Sequence, residues 1–356
     1  MCVCVNIFNM VHLRYYDLIS IEKIFQAWNE FKKGKRKKKD TQVFERNLED
    51  NLFGIYSSLK EKIYQHGNYK SFYVNDPKKR HIHKAGVSDR IVHHLIYRYL
   101  YELFDKTFIY DSYSCRLEKG THRGVKRLSL FIRKVSKNYT GYCWVLKCDI
   151  KKFFATVDQE ILLNLLRKKI EGTDILWLLK EIVESFNSEF GESKGIPLGN
   201  LTSQIFANIY MNELDQFIKH KLKIKFYLRY ADDFVILSED RNYLEDLIFK
   251  ISYFLESNLK LSLHENKVVI SKYTQGIDFL GYIVLPYVII PRTKTRKRMF
   301  RRLKEKINLS NFNQSLQSYL GYLSHANSHN LAKEVKRFKN SHSLNNNMQK
   351  SDIVEI

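Results

Sequence analysis

No run of about 18 apolar residues, the length a bilayer-spanning helix needs, occurs anywhere in the 356-residue chain. Cysteine is scarce and badly spaced for metal: Cys2, Cys4, Cys115, Cys143 and Cys148 contain no CxxC pair and no other zinc spacing. Five is an odd number, and with no secretory signal it predicts a reducing, cytoplasmic setting. The start, Met1 to Val11, is apolar but lacks a basic lead and a small-residue cleavage site, which argues against export; Met1 and Met10 both stand as possible starts. Proline is down to four residues beside abundant Lys, Asn and Ile, a bias expected of an AT-rich genome. Acidic residues are short as well. Thirty-eight Asp and Glu face sixty Lys and Arg, a net charge of +22, which points to a polyanionic partner. Without a bilayer span, that partner is nucleic acid before membrane.

What is present is an ordinary apolar share of 44%, enough for a substantial core, and a length that suggests two or three domains. Residues 17 to 31 carry Leu18, Ile21, Ile24, Phe25, Trp28 and Phe31 at helical spacing. Lys32 to Lys39 follow, with seven of eight residues basic, either a solvated loop or a contact to a phosphate backbone. A second helix is expected over 42 to 65. Residues 69 to 84 read as a hairpin around Asn75-Asp76-Pro77, a strong turn signal, with Lys70, Arg80 and Lys84 on a two-stranded finger. His81 and His83 share one strand face without a third ligand and are read as ordinary strand residues.

Further helices are expected from Asp89 to Phe104, from Gly124 to about Lys137, over 159 to 190, from Ser203 to Leu222 and over 241 to 258. Between them lies a buried strand from Trp144 that reaches Asp149 and the pair Phe153-Phe154. Short strands are expected at Lys267 to Ile270 and Phe279 to Val284. From Pro291 the chain turns basic, giving a helix over 292 to 306, then an apolar one from Leu316 to Leu323. The Asn- and Ser-rich tail from about Lys339 is expected to be disordered.

One stretch organises the rest. In Phe226 to Leu237 (FYLRYADDFVIL), Asp232 and Asp233 sit between two strand-like apolar runs, at the tip of a tight hairpin. An isolated Asp-Asp is most simply a solvated turn. The sharper reading is a divalent cation, since Mg²⁺ prefers carboxylate oxygens and few protein ligands. Two-metal phosphoryl transfer needs such carboxylates, because ions about 3.5–4 Å apart clamp the attacking and leaving oxygens. Asp149, at the end of a neighbouring strand, is the natural third acid.

At these residues the chain resembles a reverse transcriptase, from about Leu13 to Leu331. Tyr230-Ala231-Asp232-Asp233 is similar to the family's catalytic tetrapeptide, and Asp149-Ile150-Lys151-Lys152-Phe153-Phe154 to its first catalytic block. The resemblance implies a right-hand polymerase of α+β class, with fingers, an RRM-like antiparallel-sheet palm and a helical thumb. On that pattern residues 1–66 are an N-terminal helical extension with a basic loop, 67–290 fingers and palm, 291–338 thumb and 339–356 a tail.

It also implies roles. Two Mg²⁺ ions, which Mn²⁺ can replace, would be held by Asp149, Asp232, Asp233 and the backbone at Ile150. Lys267 would be the general acid to pyrophosphate, its alternative being a strand-edge lysine. Lys70, Arg80, Lys151, Lys152, Phe153, Phe154 and Leu198 would face the nucleotide, with Phe154 as the ring that excludes a 2′-hydroxyl by clash. Arg80 is favoured for the triphosphate because guanidinium pairs bidentately with phosphate. Arg116, Gln204, Tyr230, Gly281, Arg298 and Arg302 would touch template or primer.

The loop Leu198-Gly199-Asn200-Leu201-Thr202-Ser203-Gln204 departs from the Gln-Gly…Ser-Pro pattern of group II intron and retron enzymes. It resembles the version in reverse transcriptases of diversity-generating retroelements, which copy a template RNA with errors at adenines. Ala27-Trp28, Pro77-Lys78-Lys79-Arg80, Asp89 to His94, Lys119 to His122 and Tyr319 to Leu323 with His325 are similar to that group too. The implied partners are template RNA, the cDNA primer–template duplex, dNTPs and a small basic accessory protein, with no membrane. The implied source is bacterial or phage. The expected chain is a polymerase core without endonuclease, maturase extension or RNase H domain. Two rivals remain, a stand-alone bacterial reverse transcriptase in phage defence or another retroelement, and a non-catalytic RNA-binding protein retaining the fold.

Overall fold

The computed structural model describes residues 15–75 and 78–337. The apolar start with Cys2 and Cys4, the Asp76-Pro77 tip of the first hairpin and the tail from Lys339 lie outside them. The chain divides into two compact units by its contacts. One gathers the residues up to Tyr110 with Ile150–Lys223 and Ile251–Leu263, the other Asp111–Asp149, Ile224–Lys250 and the residues from His264 on.

The first unit is mainly helical. The periodicity that reads as one helix over 17–31 is broken at Ser20, whose hydroxyl accepts from Lys23 N and caps a helix Ile21–Phe31 behind a separate turn Tyr15–Leu18. Likewise the 42–65 helix is two, Lys39–Arg46 and Leu48–Lys60, because Asn47 leaves the helical region at φ −119°, ψ 51°. The 159–190 stretch resolves into Gln159–Arg167, capped by Asp158, and Thr173–Glu184. Leu201–Gln216 starts two residues earlier than its pattern indicates and runs into a wide π turn, Phe217–Lys221. Helix Val87–Phe104 buries Ile91, Val92, Leu95, Ile96 and Leu100.

The expected finger hairpin is present in this unit. Strand β1 (Lys70–Val74) pairs antiparallel with β2 (Arg80–Lys84), Phe72 opposite Ile82 and Tyr73 opposite His81. Every β1 side chain is exposed, so the ribbon has no core of its own.

The second unit carries two antiparallel sheets. Strands β3 (Trp144–Asp149), β4 (Tyr227–Tyr230), β5 (Asp233–Ser238) and β6 (Val269–Lys272) form a sheet in the order β4-β5-β3-β6. The run Phe279 to Val284, which reads as one strand, is split between β7 (Ile277–Phe279) and β8 (Tyr282–Leu285). Leu280 and Gly281 both have positive φ, 50° and 91°, the geometry of a two-residue hairpin turn. β9 (Val288–Pro291) completes a three-stranded meander.

A helix Thr121–Val135 packs Val125, Leu128, Phe131 and Ile132 into a core shared with Val145, Leu228, Val235, Phe279, Tyr282 and Val284. It begins at Thr121 after Gly120 (φ 101°), with Gly124 inside the first turn where the sequence pattern starts the helix. The basic helix Thr293–Lys306 and the helix Phe312–Leu323 share their own small core of Met299, Leu303, Phe312, Leu316 and Leu323. This α+β arrangement is the expected class.

Candidate active site

The β4–β5 hairpin turns on two residues. Tyr230 and Asp233 are register partners that close it, leaving Ala231 and Asp232 as its loop, with Ala231 at φ 55°. Asp233 is also the register partner of Asp149 across β5 and β3, so two carboxylates stand on adjacent strands at one end of the sheet. Like charges so placed repel, and the neighbouring groups answer them. Lys267 Nζ lies 2.7 Å from Asp149 Oδ1, and Lys147 Nζ lies 3.8 Å from Asp233 Oδ1. Lys267 sits in a tight turn, Glu265–Lys267, ahead of β6, whose strand starts only at Val269. His264 N–H donates to the Asp149 carbonyl at 2.8 Å and fixes that turn beside the acid. Burial, then the charges of Asp149 and Asp233, push the Asp232 carboxyl up to about 6, against which Lys267 pulls.

Among the described residues no three His, Cys, Asp or Glu side chains converge into a ready-made metal cage. That fits the chemistry of Mg²⁺, which takes one or two protein carboxylates and completes its shell with water and substrate phosphate. The raised Asp232 carboxyl is the observation that tests the fit. Lys267 and Lys147 answer Asp149 and Asp233 but leave Asp232 without an ion pair of its own among the described residues, and a hard divalent cation is what these carboxylate oxygens would hold.

Arg229 and Lys147 escaped the sequence reading. Arg229 is fully buried in β4, with Nη1 donating to the Ala231 carbonyl at 2.9 Å and Nη2 to Ser112 Oγ at 3.2 Å. Its backbone N–H donates to Asp111 O, and its carbonyl accepts from Tyr113 N, each at 2.9 Å. The peptide that precedes Asp232 is thereby held by a buried guanidinium. Lys147 donates to Asp278 O at 2.8 Å as well as facing Asp233. The available signal for both was a cation inside an otherwise apolar strand, which needs a partner when the strand is buried.

The template and primer candidates of this unit are placed as follows. Tyr230 is half-buried, with Thr121 Oγ1 3.5 Å from its hydroxyl, and Arg116 Nη1 donates to Ser112 O at 3.2 Å. The Gly281 carbonyl accepts from Tyr322 Oη at 2.6 Å and from Arg292 N at 3.0 Å. Arg298 and Arg302, one turn apart on the basic helix, are half-buried.

The nucleotide candidates belong to the first unit, as do Ile150 of the metal set and Gln204 of the template and primer set. Ile150 is buried and bridges to Leu263. Lys151 and Lys152 are exposed; Lys152 has φ 48°, its Nζ 3.3 Å from Glu189 and 4.4 Å above the Phe190 ring. Phe153 points into the core, edge-on to Phe154 and Tyr210, so only its backbone is left to meet a ligand. Phe154 is half-buried, and its carbonyl accepts from Ile196 N at 2.8 Å. Lys70 and Arg80 are exposed on the ribbon, and Gln204 is exposed on its helix. Leu198 joins the ribbon directly, its carbonyl accepting from His83 N at 2.9 Å.

The chain is similar to several known proteins. A putative intron 2 protein of COX1/OXI3 from Saccharomyces cerevisiae is 24% identical over 68% of this chain and 33% of its own length. Protein YkfC of Escherichia coli is 24% identical over 58% of this chain and 63% of its own. The group II intron-encoded protein LtrA of Lactococcus lactis is 22% identical over 73% of this chain and 53% of its own. The chain thus spans between a third and just under two thirds of these relatives. Among solved structures, apo telomerase from Candida tropicalis aligns over 68% of this chain and 60% of that one, at 13% identity and a TM-score of 0.49. No helix of the described residues is long and apolar enough to cross a membrane. The reverse transcriptase (RNA-dependent DNA polymerase) family matches residues 74–284, more than half the chain and the whole stretch from β2 through the two aspartate-bearing strands to β8, and the protein belongs to that family.

Proposed function

We propose that the chain is an RNA-directed DNA polymerase that extends a primer on template RNA with dNTPs. The observation that carries this is the pairing of Asp149 with Asp233 beside the turn that bears Asp232. Bound divalent ions would lower the charge on the reacting phosphates and activate the primer 3′-oxygen. The chain's own work is to hold three carboxylates in that place, on strand ends and a two-residue turn that cannot drift. Lys267, 2.7 Å from Asp149, would give a proton to leaving pyrophosphate. Arg80 and Lys70 on the ribbon would take the triphosphate, and Phe154 would stand under the sugar as the gate against ribonucleotides. The basic helix, with Arg298 and Arg302, would follow the primer–template backbone as the thumb. Synthesis by the wild type on poly(rA)/oligo(dT), lost in a folded Asp232→Ala, is the expected result. A folded wild type that binds RNA and makes no DNA would instead favour a non-catalytic RNA-binding protein.

The finer reading is the error-prone enzyme of a diversity-generating retroelement, acting with a small basic accessory protein. It is supported by Leu198, an aliphatic side chain where accurate relatives place a glutamine that is thought to hydrogen-bond the incoming nucleotide. Leu198 offers no such bond, so discrimination against mispairs weakens. Sequencing cDNA made on adenine-containing RNA tests it. Leu198→Gln is expected to lower misincorporation opposite adenine, and an unchanged error spectrum overturns the assignment in favour of an ordinary stand-alone bacterial enzyme.

A further inference from the structure

Asn200 occupies the N-cap position of helix Leu201–Gln216, where an asparagine normally bonds the first free N–H groups of the helix. It does not do so here. Its side chain makes no capping bond, although it is 2% exposed. The amide turns instead to the end of the ribbon. Oδ1 accepts from Ala85 N at 3.1 Å, while Nδ2 donates to His83 O at 2.7 Å and to Pro197 O at 3.2 Å.

The two residues before it make the same attachment. Leu198 O accepts from His83 N, so the backbone groups that β2 turns away from β1 at His83 are both taken by this loop. Between them Gly199, at φ +112°, lies so close that a Cβ there would be 2.6 Å from Ile82 Cγ2. One backbone bond from Leu198 and the Asn200 amide thus cover the free edge of β2 at His83. Ser203 Oγ, donating to Pro197 O at 2.7 Å, ties the loop back to the helix start.

From this geometry we infer that Asn200 is a positioning residue for nucleotide selection. It makes the ribbon bearing Lys70 and Arg80 and the turn bearing Leu198 one rigid body. The inference rests on the polymerase reading above, in which both elements meet the incoming nucleotide. A ribbon with no core of its own is oriented by this joint together with the Lys84–Asp40 ion pair and the His83–Phe186 contact at the same end, so slack in Asn200 reaches the triphosphate contacts and the Leu198 side chain together.

The test uses the full chain with Asn200→Asp, which keeps the acceptor for Ala85 N and replaces both Nδ2 donations by repulsion, and Asn200→Ser, which is smaller and uncharged. Hydrogen exchange of the ribbon amides, His83 and Ala85 among them, is measured first in nucleotide-free protein and is expected to quicken by about tenfold or more. Single-nucleotide insertion on a defined RNA template is then expected to show KM for the matched dNTP raised about tenfold, with kcat falling much less and the matched-to-mismatched ratio altered. Faster exchange with unchanged KM and mismatch ratio overturns the inference, as does unchanged exchange. A wild type that makes no DNA at all overturns the polymerase reading itself, and that result is distinct from either.

Discussion

Asp149 and Asp233 face each other across β3 and β5 as register partners, and the ammonium of Lys267 lies 2.7 Å from the first of them. Two carboxylates on adjacent strands, with a third on the turn that leads into β5, repel one another, and a bound cation would relieve that repulsion. Asp232 feels burial first and that repulsion second, and together they push its carboxyl up to about 6.

Asp232 therefore makes the protein less stable as pH rises. Between roughly pH 4 and 6 the unfolded chain has lost this proton while the folded one still holds it, so stability falls through that window and stays lower above it. The penalty is at most about 3 kcal/mol. Asp232→Asn is expected to abolish DNA synthesis yet raise the thermal midpoint at pH 7, and adding Mg²⁺ should raise the wild-type midpoint more than the variant's. Thermal unfolding from pH 4 to 8, with and without Mg²⁺, checks it; equal midpoints for the two proteins at pH 7 would count against it.

Arg229→Met keeps the bulk but strips the donors from the Ala231 carbonyl and Ser112 Oγ, leaving buried acceptors unmet at a cost of about 1–3 kcal/mol. With the peptide before Asp232 released, synthesis should need more Mg²⁺ and fall by at least about tenfold, even well below the unfolding temperature. Arg229→Lys should recover part of the loss. A Mg²⁺ titration of initial rates checks both.

Tyr322 stacks on Tyr282 with centroids 4.6 Å apart and donates to the Gly281 carbonyl at 2.6 Å. Tyr322→Phe keeps the stack and deletes the donor, which should cost about 1 kcal/mol of stability. Its larger expected effect is on the primer, as a higher KM for primer–template and shorter products per binding event. Extension against an excess of trap duplex measures this.

Asp40 carries the opposite sign of pH dependence. Burial opposes its charge, yet Lys84 and Arg90, each 2.6 Å away, hold its carboxyl down to about 2. Its contribution is complete above about pH 4 and is lost as pH falls toward 2. Because the pair is partly exposed, the loss is no more than about 1 kcal/mol. Asp40→Asn should flatten that part of the acid unfolding curve and leave pH 6 to 8 nearly unaltered.

The aspartates were legible because their signal is local: a charged pair between two strand-like runs, and a third acid ending another. The ribbon was legible too, since Asn75 and Pro77 mark its turn and both arms alternate. Helix ends were less so, because Ser20 and Asn47 interrupt patterns whose apolar spacing continues through the break. Leu280-Gly281 hid a hairpin inside a run that reads as one strand. Arg229 and Asn200 were out of reach for a different reason. What defines them is a distant partner: Ser112 is 117 residues from Arg229 and Ala85 is 115 from Asn200, and no periodicity encodes such a bond.

The ribbon β1–β2 is held by its own ladder and by a backbone-directed joint, and all of its β1 side chains face water. A substitution at Lys70, Phe72, Tyr73 or Val74 therefore disturbs no packed interior. Mutation can reshape this surface at little cost to folding, which leaves it open to natural variation or laboratory selection.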